Sequence, residues 1–75
     1  MMKERVIRLN HPKDVQEFVN AATQCEFDIN LIYQHIFIDA KSLIGVLGLL
    51  RQNTKVSYFG ENQGFEQVLQ KYAVA

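Results

Sequence analysis

The run EFDINLIYQHIFI, residues 26–38, limits what this chain can fold into more than any other stretch. Across residues 26–33, Phe27, Ile29, Leu31 and Tyr33 alternate with Glu26, Asp28 and Asn30, a period of two that predicts a strand with one buried and one wet face. Only Gln34 and His35 separate it from Ile36, Phe37 and Ile38. A second strand therefore returns through a hairpin, although neither turn residue is the usual glycine or asparagine. A sheet of half-wet strands is covered on a single face.

The flanking segments supply the rest of the sheet and its cover. Residues 4–9 read as a strand, with Val6, Ile7 and Leu9 in imperfect alternation. In NHPKDVQEFVNAATQ, Pro12 suits a first helical position, Asp14 sits in the first turn, and His11 falls at the N-cap. Val15, Phe18, Val19 and Ala22 give that helix one apolar face, ending near Gln24. Ser42 caps an apolar helical segment over residues 43–50, and residues 55–59 read as a strand. Gly60, Glu61 and Asn62 form a turn, and Phe65, Val68, Leu69 and Tyr72 mark a last amphipathic helix. The order β-α-β-β-α-β-α predicts one α/β (α+β) domain over residues 1–75: an open-faced sandwich with a four-stranded, mainly antiparallel sheet and three helices on one face.

Composition narrows the function. Eight basic and eight acidic residues leave no net charge, and the Lys and Arg are scattered, so nucleic acid is not an expected partner. No apolar run approaches the roughly 20 residues that cross a bilayer, and MMKERVIRL lacks the features of a secretory signal; we expect no membrane insertion and a cytoplasmic location. Cys25 is alone and reads as a bystander thiol, as does His35 among the histidines. No ligand set for a metal and no cofactor motif is recognisable. Nucleophile–base sets are missing too, so the chain does not read as an enzyme.

The segment DAKSLIGVLGLL carries more apolar surface than one sheet face needs. At about 100° per residue, Val46, Leu49 and Leu50 share one arc while Leu43, Ile44 and Leu47 extend it to roughly 220°, against roughly 100° for an ordinary surface helix. Either the small domain wraps the excess, or part of it is a docking patch. Gly45 and Gly48, poor helix formers, would leave the backbone open to close approach by another surface.

DAKSLIGVLGL resembles the second-helix signature of the HPr phosphocarrier family of the bacterial phosphoenolpyruvate-dependent sugar phosphotransferase system, including the serine, the lysine before it and the glycine three places on. FVNAAT is similar to that family's first helix, FDINLIY to its second strand, and FGEN with the following helix to its last third. The resemblance runs without a gap from His11 to Leu49. It implies an HPr-like fold, a phosphoryl-accepting histidine at His11, and a regulatory serine at Ser42 with Lys41 beside it. It also implies a partner-binding surface of Lys41, Leu43, Ile44 and Leu47. The expected partners are enzyme I and enzyme II-like proteins, or a regulatory kinase or transcription factor, with the chain monomeric or weakly self-associating.

The active-site motif diverges from the family pattern. The arginine two residues after the histidine is Lys13, the following proline is Asp14, and the preceding glycine is absent. Lys13 supplies a point charge in place of a planar fork. Asp14 brings a carboxylate that competes for helix N–H groups and repels a phosphoryl group. Two readings stay open: a phosphocarrier relaying through His11, and a regulatory or adaptor module that keeps the fold and docking helix without the relay.

Overall fold

The computed structural model describes residues 2–74. It contains β1 (Lys3–Arg8), α1 (Pro12–Thr23), β2 (Ile29–Tyr33), β3 (Ile36–Asp39), α2 (Leu43–Leu47), β4 (Asn53–Tyr58) and α3 (Gln63–Tyr72). The element order and the open, antiparallel sheet are those expected. The strands lie in the order β1-β4-β2-β3, so the first and last elements of the sheet are β1 and the short β3.

Side-chain alternation sets the two faces. Ile7, Ile29, Leu31, Val56 and Tyr58 point into the core, where they meet Val15, Phe18, Val46, Phe65 and Leu69 from the helices. The opposite residues Val6, Lys55, Ile32 and Phe37 line one cross-strand row on the uncovered face. Val6 is 42% exposed there, which explains the broken alternation of the first strand: its buried partner in sequence is Ile7. Phe18, Phe65 and Tyr58 form the aromatic centre, with Tyr58 edge-on to Phe65 at 5.4 Å between centroids.

Several element limits differ from the sequence reading for identifiable reasons. The second strand begins at Ile29, not Glu26, because Phe27 leaves the sheet to stack on Tyr58 and to fill the space that Gly60 leaves without a Cβ. The apolar segment after Ser42 is helical only through Leu47, not Leu50. Gly48, Leu49 and Leu50 donate to the carbonyls three residues back, a tighter winding that ends with Arg51 at φ 67. The third strand reaches Asp39, and the fourth runs from Asn53 to Tyr58.

Gly45 also has a different role from the one its sequence context suggests. A Cβ there would lie 2.8 Å from Ile38 Cγ2, so its missing side chain admits β3 of the same chain and not a foreign surface. Helix α2 thus sits tightly on the edge strand. No helix among the described residues is long and apolar enough to cross a membrane.

Candidate functional site

Helix α1 begins where the chain leaves β1, and its start is built by His11, Pro12 and Asp14. His11 is the N-cap in extended conformation, with φ −132 and ψ 153. Its carbonyl accepts the N–H groups of Asp14 at 2.9 Å and Val15 at 3.2 Å. The imidazole is exposed, and Asp14 reaches back to the His11 N–H in the arrangement of a capping box. Pro12 has no N–H to satisfy, and among the described residues no hydrogen bond uses that of Lys13.

Asp14 is turned back toward the loop. Its Oδ2 accepts the N–H of Asn10 at 3.3 Å and of His11 at 3.1 Å. Its Oδ1 lies 3.3 Å from the Tyr72 hydroxyl, which also donates to Glu17. The carboxylate therefore draws on donors that precede the helix and on α3, leaving the first-turn N–H of Lys13 unused. Burial and the bond to Glu17 push the Tyr72 phenol up from its ordinary value. Tyr72 and the Lys71 ammonium at 2.9 Å hold Glu17 below the usual carboxylate range.

Two arginines reach Asn10, the residue before His11, one from two residues upstream and one from the segment after α2. Arg8 Nε donates to the Asn10 side chain at 3.0 Å, and Arg51 Nε lies 3.5 Å from the Asn10 carbonyl. Arg51 is held by its own N–H, which donates to the Leu9 carbonyl at 2.7 Å and locks the left-handed backbone at that residue. The segment leaving α2 therefore runs beside the residues that lead into His11. Neither arginine was singled out from sequence: Arg8 reads as a strand charge, and Arg51 reaches Leu9 and Asn10 only through tertiary contacts.

Helix α2 divides its apolar residues between two environments. Val46 and Leu49 are buried and Leu50 is half-buried against the core. Leu43, Ile44 and Leu47 are 37, 84 and 38% exposed. Ser42 Oγ accepts the Gly45 N–H at 3.2 Å, and the hydroxyl is exposed at the helix start. Lys41 points away from Ser42: its ammonium donates to the Cys25 carbonyl at 2.8 Å and ties the entry of α2 to the loop after α1.

Cys25 is buried, its thiol against the Ala21 carbonyl at 3.6 Å, and burial pushes its pKa up, away from reactivity. His35 is exposed in the β2–β3 turn, next to Gln34 at φ 56. Among the described residues no group of three His, Cys, Asp or Glu side chains is placed to hold a metal ion.

The architecture is that of the HPr phosphocarriers. The crystal structure of the phosphocarrier protein HPr from Bacillus anthracis str. Ames superposes with a TM-score of 0.72 at 16% identity, covering 95% of this chain and 96% of that one. HPr-C-His from Thermoanaerobacter tengcongensis superposes with a TM-score of 0.72 at 18% identity, covering 95% and 92%. No family model matches the sequence, and no curated protein does either. The likeness therefore defines the fold: this chain is a divergent domain with HPr-like architecture over nearly its whole length.

Proposed function

We propose that the chain is an HPr-like phosphocarrier, a substrate of phosphotransfer proteins that accepts a phosphoryl group at His11 and passes it on. The observation that carries this reading is the start of α1: an exposed imidazole at the N-cap, next to the unused N–H of Lys13, where the positive helix pole favours an anion. Lys13, Arg8 and Arg51 supply the positive charge that one arginine supplies in the family pattern. In the transfer, an imidazole nitrogen attacks the phosphorus of the donor phosphoenzyme, the donor's P–N bond breaks, and the phosphoryl group moves to His11. The reverse sequence delivers it to the next acceptor.

Leu43, Ile44 and Leu47 are the proposed docking surface for enzyme I and enzyme II-like partners. Covering these side chains contributes a few kcal/mol in all, most of it from Ile44, because Leu43 and Leu47 are already more than half buried. Association entropy offsets much of that, as a carrier that must dissociate requires. Ser42 is the proposed regulatory position. A phosphate there would sit at a helix start, where its charge is tolerated, and would turn the edge of the docking surface negative.

A second reading, a binding module without relay, is favoured by one observation: Asp14 places a carboxylate at the same helix start. Incubation with phosphoenolpyruvate and enzyme I of an HPr system separates the two. The relay reading expects an acid-labile phosphate that is lost in His11→Ala, followed by transfer to an enzyme II domain. The adaptor reading expects no phosphate, with partner binding that depends on Ile44.

A further inference from the structure

The two edges of the sheet are finished differently. Along β1 the outer edge is occupied: Val74 N–H donates to the Val6 carbonyl at 3.0 Å, and Ala73 forms a bridge with Ile7. That strand also carries Lys3, Glu4, Arg5 and Arg8, charges that oppose addition of another strand. The edge strand β3, of sequence IFID, has no proline, no lysine and no covering segment among the described residues. Ile36 is 49% and Phe37 69% exposed on it.

The register shows which backbone groups this edge presents. Ala40 N–H donates to the Ile29 carbonyl at 2.9 Å, which makes Ile29 and Ala40 a hydrogen-bonded pair. Alternation along the ladder then gives the same state to Leu31 with Ile38 and to Tyr33 with Ile36. Phe37, opposite Ile32, therefore aims its N–H and C=O away from β2. The Asp39 N–H points the same way, while its carbonyl already accepts from Ser42 N–H at 3.0 Å.

We propose that β3 is the pairing edge of a homodimer, in which β3 of a second copy lies antiparallel with Phe37 opposite Phe37 and the sheet continues across a two-fold axis. In this register Ile36 falls opposite Ile38, and His35 falls opposite Asp39. The surface is self-complementary in backbone, in apolar contact and in side-chain donors and acceptors. The Phe37 peptides exchange N–H···O=C bonds, and the two phenyl rings become cross-strand neighbours on the uncovered face. At each end the His35 imidazole of one copy meets the Asp39 carboxylate of the other. Neighbouring registers set Phe37 against Asp39 or His35 and lose the aromatic pair, so the apolar pattern selects one alignment. Four-residue strands make a small interface, which places the dimer in the weak, reversible class.

Sedimentation of the full chain over a concentration series, with amide exchange read by NMR, tests this pairing. The expected result is a reversible monomer–dimer shift, with the Phe37 and Asp39 amides gaining protection as concentration rises. Phe37→Lys, at an exposed site, weakens association by roughly ten-fold or more through like charges set directly opposite each other. Val6→Lys on the uncovered face and Ile44→Lys on α2 leave association unchanged. A single monomeric species at the highest concentration overturns the proposal. So does a dimer that survives Phe37→Lys and is abolished by Val6→Lys or Ile44→Lys.

Discussion

The Asp14 carboxylate accepts the His11 N–H at 3.1 Å, so the acid that intrudes on the candidate phosphoryl site is tied to the backbone of the very residue it would oppose. A like charge a few ångströms from a phosphoryl group costs about 1 kcal/mol under water-like screening. Converted to an equilibrium, that is roughly five-fold. Asp14→Asn removes the charge and keeps an acceptor oxygen, so phosphorylated His11 should be favoured by about that factor relative to the unaltered chain. Equilibrium labelling by phosphoenolpyruvate at limiting donor measures it, and an unchanged level counts against repulsion by Asp14.

Ser42 holds the start of a five-residue helix through one bond to Gly45 N–H. Ser42→Ala leaves that donor without its acceptor and should cost about 1 kcal/mol. A urea titration reads this as a lower midpoint with unchanged slope. Ser42→Asp, which retains an acceptor at the cap, should lose much less.

The two faces of α2 make opposite predictions. Ile44→Lys, at a position 84% exposed, should leave the thermal midpoint nearly unchanged while abolishing binding to a phosphotransfer partner. Val46→Ala, at a fully buried position, should cost about 2 kcal/mol and affect binding only through stability. Paired denaturation and titration calorimetry distinguish the two outcomes.

Stability should fall at both ends of the pH range. Burial and a bond to Glu66 push Tyr58 up, and burial and a bond to Glu17 push Tyr72 up, each from an ordinary 10.0. Below that value the phenols are neutral in both states and their contribution is intact. Above it the unfolded chain releases protons that the folded chain keeps, so stability declines as pH rises. Glu17 behaves in the opposite sense: held below 4.5 by Tyr72 and Lys71, it contributes above that value and the contribution fades as pH falls through its folded pKa. Because Glu17 is solvated, its effect is the smaller. Thermal midpoints across the pH range check this, and Tyr72→Phe should flatten part of the alkaline decline.

Much of the fold was legible because burial repeats along the chain. Phe27 excepted, the period-two apolar residues around Leu31 and the helical set from Val15 to Ala22 point where the pattern says they do. The limits of elements were less legible, since they depend on neighbours distant in sequence. Phe27 leaves its strand for Tyr58 and Gly60, and the winding after Leu47 tightens where Arg51 is pinned to Leu9. Gly45 read as an opening for another protein because its occupant, Ile38, could be assigned only once β3 and α2 were seen packed together. The candidate site shows the same division. Local capping signals place His11 and Ser42 at helix starts, the resemblance singles them out, and Arg8 reaches Asn10 from only two residues away; Arg51 and Tyr72 arrive at the start of α1 through contacts that no local pattern encodes.

Phosphorus NMR of the chain after incubation with enzyme I and phosphoenolpyruvate is the most direct measurement. One phosphohistidine resonance is expected, lost on acidification and absent from His11→Ala. A chain that shows no such resonance while enzyme I itself is phosphorylated would contradict the phosphocarrier assignment.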